Sequence, residues 1–201
     1  MEREIERLSE EGRVPRLLLH SCCAPCSSYV LKCLPRHFDI TVFYYNPNIY
    51  PEEEYHLRAR EQREFLRRFP LTEGTGFLEG AYEKERFYET VRGMEDLPEG
   101  GERCFRCYHL RLSETAKAAK DGGFPYFTTT LSISPMKNAA KLNEIGTALA
   151  KEYGLRYLVS DFKKKDGYKQ SCEISKGYGM YRQDYCGCIY SYQERQRKKK
   201  E

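Results

Sequence analysis

The chain has 201 residues, with 34 Lys and Arg against 30 Asp and Glu for a net charge of +4, and it carries nine cysteines and no tryptophan. That length suits one domain over residues 1–201 with a sizeable core, and the charge is too small to announce nucleic-acid binding by itself. No apolar run reaches membrane-spanning length and the opening MEREIERLSEEGR is charged from its second residue, so we expect a cytoplasmic protein without a membrane partner.

In chain order, Leu17 to His20 reads as a buried strand that runs into Ser21, Cys22 and Cys23. The alternating ITVFYY at 40–45 predicts a second strand, ending in Asn46-Pro47-Asn48. After Pro51, the acidic start and the spacing of Tyr55, Ala59, Leu66 and Phe69 predict a helix, and a weaker strand falls near Leu71 to Leu78. CFRCYHLRLSETAKAAK at 104–120 predicts a helix stopped by Gly122 and Gly123, followed by a strand at 125–131 that runs into Ser132 and Ser134. A helix at 137–153 stopped by Gly154 and a strand at 155–160 leading into Asp161 complete the pattern. The C-terminal RQRKKK reads as a solvated helix end, with phosphate contact as the alternative. Alternating strands and helices make this an α/β chain with a mostly parallel sheet flanked by helices, and polar and sulfur groups collect at the strand C-terminal edge, where ligands bind in open parallel sheets.

Seven cysteines form three groups: Cys22-Cys23-x-x-Cys26, Cys104-x-x-Cys107 and Cys186-x-Cys188; Cys33 and Cys172 stand apart and read as ordinary thiols. An odd count in a cytosolic setting argues against disulfides and for metal or redox chemistry. Seven sulfurs exceed what one tetrahedral ion needs, while a cubane iron–sulfur cluster takes up to four thiolates and leaves the rest, with Asp161, for a second ion. An all-thiolate zinc knot is the alternative. The first strand-to-helix turn, HSCCAPCSS, has sulfurs where a nucleotide-binding protein would have glycines, which argues against ATP there.

These motifs, LLLHSCCAPCSS at 17–28, YNPNIYPEEEYHLR at 45–58, ERCFRCYHLRLSETA at 102–116, TTTLSISP at 128–135, SDFKKKDG at 160–167 and YRQDYCGCIYS at 181–191, resemble those of the QueH-type epoxyqueuosine reductases and follow the family order over nearly the whole chain. Phe162-Lys163 stands where the family often has Phe-Arg, and no metal-binding motif is broken. The resemblance implies a single Rossmann-like domain, a [4Fe-4S] cluster, an adjacent mononuclear iron, and reductive deoxygenation of epoxyqueuosine to queuosine at the tRNA wobble position, with an unidentified electron donor. On that basis Cys22, Cys104, Cys107 and Cys186 are expected to hold the cluster, with Cys26 able to replace any of them. Cys23, Cys188 and Asp161 are then expected on the second, catalytic iron.

Candidates for holding substrate are Asn46, Asn48, Arg58, Ser132, Ser134 and Arg182, each of which could instead be a loop turn or a surface ion pair. Tyr44, Tyr45, Tyr50, Tyr178, Tyr181 and Tyr185 offer stacking faces, and Arg58, Arg60, Arg182, Arg195, Arg197 and Lys198 to Lys200 a basic rim for the anticodon loop. A zinc-stabilised RNA-binding protein and a nucleotide-activating tRNA-modifying enzyme are the competing functions.

Overall fold

A computed structural model describes residues 1–199. Its centre is a five-stranded sheet in the order β3-β2-β1-β4-β5, formed by β1 (Arg16–His20), β2 (Asp39–Tyr44), β3 (Gly76–Glu79), β4 (Tyr126–Thr129) and β5 (Arg156–Tyr157). Every pairing is parallel, with Leu18 opposite Thr41 on one side and Phe127 on the other. Strand β1 sits in the middle, which explains its unbroken LLLH: helices cover both faces, so no position alternates to solvent.

Leu18, Phe43 and Phe127 face a core closed by α5 (Glu102–Asp121) and α6 (Ala139–Tyr153). Leu17, Leu19, Ile40, Val42 and Tyr126 face the other, closed by α2 (Ala24–Cys33), α3 (Glu52–Arg68) and α1 (Glu2–Glu10). Helix α7 (Gly167–Gly177) packs on α2, α4 (Lys84–Thr90) on α5, and α8 (Ile189–Lys198) carries the basic C-terminal run, of which Lys200 lies outside the described residues.

The predicted elements differ from those found chiefly where side chains replace ladder bonds. Strand β4 ends at Thr129 rather than 131 because the Thr129 hydroxyl accepts from Leu131 N and starts a 3-10 turn, Thr130–Ile133. Strand β5 ends at Tyr157 rather than 160: Ser160 N donates to the Asn143 side chain, and the Asn143 amide donates back to Ser160 O. Helix α2 starts at Ala24, with Pro25 in its first turn and Cys23 as the extended residue before it, so Cys26 already lies in the helix.

Candidate metal and substrate site

Three segments carry the sulfur groups to the C-terminal edge of the sheet. The first is the β1–α2 turn. Ser21 N extends the β1–β2 ladder to Phe43 O at 2.9 Å, Asn46 donates to Ser21 O at 2.9 Å, and the Ser21 and Ser27 hydroxyls both donate to Gln62. His20 beneath them is fully buried, accepting from Thr129 at Nδ1 and donating from Nε2 to Tyr45 O. Burial, reinforced by the Arg111 charge, pushes it down to about 3, so it stays neutral. The turn thus held brings Cys22, Cys23 and Cys26 together with all three sulfurs within 4.8 Å, the only such group of potential metal donors among the described residues.

The second segment is the start of α5, where Cys104, Cys107, Tyr108 and Arg111 lie along one stripe. The third is the turn before α8. Gly187 has φ +120°, a region closed to most side chains, and a Cβ there would stand 3.0 Å from Arg58 Nη1. Its carbonyl accepts from Tyr50 N at 2.7 Å, which docks the turn. Cys104, Cys107, Cys186 and Cys188 line a narrow space of about 20 Å³, while Cys22, Cys26 and Cys186 line a cavity of about 590 Å³. The two spaces share Arg111, Lys137 and Cys186 as walls.

Charge is distributed unevenly over these sulfurs. Hydrogen bonds from Cys22 and Cys26 hold Cys23 well below the usual thiol value, helped by Arg58 and by the Gln183 amide at 3.3 Å. The same contacts push Cys26 well above it, with Cys22 the larger cause, and Cys23 raises Cys22. In the second group Cys188 and the Lys137 ammonium, 2.8 Å away, hold Cys186 low, while burial raises Cys104 and Cys107. Burial works against the charged Lys137, but Cys186 and its neighbours outweigh it and leave it well above the usual lysine value. Arg111, equally buried, is raised by Cys107, Cys22 and Cys186 against its own desolvation.

The chain matches the family model described as "Epoxyqueuosine reductase QueH" over residues 17–194. It belongs to the QueH family. Proteins named "Epoxyqueuosine reductase QueH" share 45% identity with it in Streptococcus pyogenes serotype M1 (184 residues, 90% of this chain and 72% of that protein) and 42% in Staphylococcus aureus strain Mu50 (191 residues, 93% and 80%). The protein of that name from Thermotoga maritima is 36% identical over 182 residues, 90% of this chain and 93% of its own. Family membership and the parallel α/β sheet agree with the reading of the motifs.

The cysteines group differently from the expected division. Cys22 sits with Cys23 and Cys26 rather than with Cys104 and Cys107, and Cys188 lines the same space as Cys186. Asp161 pairs with Lys163 at 3.1 Å and is not among the side chains lining either space; the carboxylates on the cavity wall are Glu99, Asp184 and Glu194.

Of the substrate candidates, Ser134 and Arg182 line the cavity. Asn46 spans Ser21 O and Arg111, Ser132 bonds Ser160 and Phe162 N, and Arg58 is buried against Glu54, so these three belong to the framework, while Asn48 faces the narrow space with its Oδ1 unpartnered. Among the tyrosines only Tyr185 of those expected lines the cavity, joined by Tyr168; Tyr44 and Tyr45 are core residues. Arg182, Arg195 and Lys198 supply the basic part of the wall, whereas the burial of Arg58 removes it from any rim. Sequence reasoning missed Lys137, Glu99, Gln183, Tyr108 and Arg111. Only the last two had a signal: their positions on the Cys104–Cys107 stripe of an amphipathic helix.

Proposed function

We propose that this chain reduces epoxyqueuosine to queuosine, the last step in making that tRNA nucleoside, on the wobble position of tRNA in the cytoplasm. The balance is an epoxide plus two electrons and two protons giving an alkene and water: both carbon–oxygen bonds break, one carbon–carbon π bond forms, and the oxygen leaves as water. The observation that carries the reading is the meeting of seven thiols from three segments around two spaces that share a wall.

The donor set fits an iron–sulfur centre beside a single ion. Tetrahedral thiolate ligation at ~2.3 Å spaces sulfurs by about 3.8 Å, and Cys22 Sγ lies 3.9 Å from Cys23 Sγ. Cys22, Cys23 and Cys26 thus suit one ion with a coordination position left for substrate, since Cys22 and Cys26 also face the cavity. Cys104, Cys107, Cys186 and Cys188, spread wider, would hold the [4Fe-4S] cluster. The buried cations Arg58, Arg111 and Lys137 offset the negative charge that thiolates bring. When bound, the cluster supplies electrons one at a time and the ion supplies Lewis acidity toward the epoxide oxygen.

The chain's own residues do the rest. A cavity of about 590 Å³ is within the range for a nucleoside-sized ligand. Tyr168 and Tyr185 on its wall offer stacking faces to an unstacked base, and Arg182, Arg195 and Lys198 face the flanking phosphates. The ammonium of Lys137 and the carboxyl of Glu99, which burial and the nearby Cys186 raise above the usual carboxylate value, pair with each other on the wall of the same cavity.

The test is anaerobic purification with iron, zinc and acid-labile sulfide measured per chain, followed by incubation with epoxyqueuosine-bearing tRNA and a chemical reductant. Sulfide with excess iron, and conversion of the nucleoside with loss of one oxygen, support the reading. Tight zinc without sulfide, persisting after reconstitution with iron and sulfide, refutes it and leaves the zinc-stabilised RNA-binding protein.

A further inference from the structure

Tyr108 lies on α5, four residues after Cys104 and one after Cys107, and only 1% of its surface is exposed. It lines the narrow space together with Cys104, Cys107, Cys186 and Cys188, yet its hydroxyl has no hydrogen-bond partner. The buried Tyr44 and Tyr55 show the usual solution, donating to the Tyr55 carbonyl and to Glu79 and Gly80 O. A buried hydroxyl left without an acceptor is a cost, and an acceptor that arrives with something bound removes it; of the two such tyrosine hydroxyls among the described residues, Tyr108 and Tyr157, Tyr108 is the one that lines the sulfur space.

The other polar groups around the space say what kind of acceptor that is. Arg111 Nε, a second donor, is likewise without a partner, and Asn48 Oδ1 is the one acceptor left over. Donors already placed there point at sulfur: Gly100 N donates to Cys104 Sγ at 3.2 Å and the Lys137 ammonium to Cys186 Sγ at 2.8 Å. Two unused donors to one unused acceptor is an imbalance that anionic sulfur, an acceptor with no proton to give, would remove.

We propose that Tyr108 is a positioning residue whose hydroxyl donates a hydrogen bond to the sulfur of an iron–sulfur centre held by Cys104, Cys107, Cys186 and Cys188, and so raises that centre's reduction potential. The proposal rests on the assignment of the cluster to those four thiols made above. Its sign follows from charge: reduction makes the centre more negative, a donor hydrogen bond favours the more negative state, and removing it makes reduction harder.

The experiment compares the parent protein with Tyr108→Phe, which keeps the ring and its packing and deletes only the hydroxyl. Both are purified anaerobically, assayed for iron and sulfide, and titrated electrochemically while the reduced centre is followed by electron paramagnetic resonance. Exchangeable protons coupled to its spin are read by double resonance after transfer to heavy water. The expected result is unchanged iron and sulfide, a midpoint potential moved to more negative values, and loss of one coupled exchangeable proton. An unmoved potential overturns the proposal, and so does a moved potential with the proton still present. Cys104→Ala, which leaves no ligating atom, separates the two claims: if it keeps the full cluster, the ligand assignment fails whatever Tyr108 does. Should Tyr108→Phe not load metal, 3-fluorotyrosine at position 108 carries the test. Its stronger donor moves the potential to more positive values if the bond exists, and an unchanged value overturns the proposal.

Discussion

Replacing Arg58 by Met tests whether this side chain supports the site or touches substrate. Its guanidinium is 2% exposed, its Nε lies 2.7 Å from Glu54 Oε1, and its charge stands over the Tyr185 ring at 5.3 Å and beside Gly187. At an effective dielectric of ~20, unit charges at that separation attract by about 6 kcal/mol before desolvation is charged against them. Removing the cation alone leaves the Glu54 carboxylate, 10% exposed, without its partner. Losing one partner of such a pair costs about 3–5 kcal/mol, a large share of the ~5–15 kcal/mol that holds a domain folded. Urea unfolding of anaerobically purified protein, followed by circular dichroism, is the assay. Arg58→Met is expected to lose about 3–5 kcal/mol, and adding Glu54→Gln is expected to restore part of it, because the stranded charge is then gone. A loss under about 1 kcal/mol, together with a raised KM for tRNA, would refute the framework role and return Arg58 to the substrate.

Asp161→Ala is expected to leave iron, sulfide and turnover near the parent values, since the carboxylate is engaged with Lys163; metal analysis with a single-turnover assay checks this, and loss of one iron per chain would restore Asp161 as a ligand. The hydrogen bond from Arg7, then that from Tyr126, pulls Glu4 down from 4.5 to about 2, so its contribution is fully present above pH 4.5 and is lost as pH falls from there toward 2. With Glu4 partly exposed, we expect Glu4→Gln to cost about 1 kcal/mol at neutral pH, and the gap between the two urea midpoints to shrink through that acid window. Gly146→Ala would drive a Cβ into the Tyr157 ring, so the ring or α6 must shift. A loss of roughly 1–3 kcal/mol in thermal or urea unfolding is expected.

The sheet was readable because its central strand is buried on both faces, which leaves a continuous apolar run, and because α3, α5 and α6 between the strands carry clear apolar stripes. Its ends were harder to read. Where β4 stops depends on one hydroxyl, Thr129 capping a 3-10 turn, and where β5 stops depends on Asn143 from α6 reaching the Ser160 backbone. Neither contact has a periodicity. The helices α1, α4 and α7 were missed because their apolar positions are few: α1 buries Leu8 alone, α4 Phe87 alone, and α7 buries Gly167, Ser171 and Ser175 through close approach.

Spacing reveals which sulfurs can share a site and leaves open which do. Cys22 and Cys104 are 82 positions apart, and their separation in space is set by how β1 and α5 pack, whereas Cys22, Cys23 and Cys26 are brought together by one turn. One turn therefore groups Cys22 with Cys23, and one space is lined by both Cys186 and Cys188, whereas the expected division assigns the members of each pair to different centres. The same reasoning explains the polar residues. Asn46, Arg58 and Ser132 follow strand ends or line the helix beyond, where unsatisfied backbone and thiolate groups gather, so they are drawn into satisfying those groups before any ligand arrives. Ser134, two residues past Ser132 in the loop after β4, and Arg182, in the separate loop between α7 and α8, line the cavity.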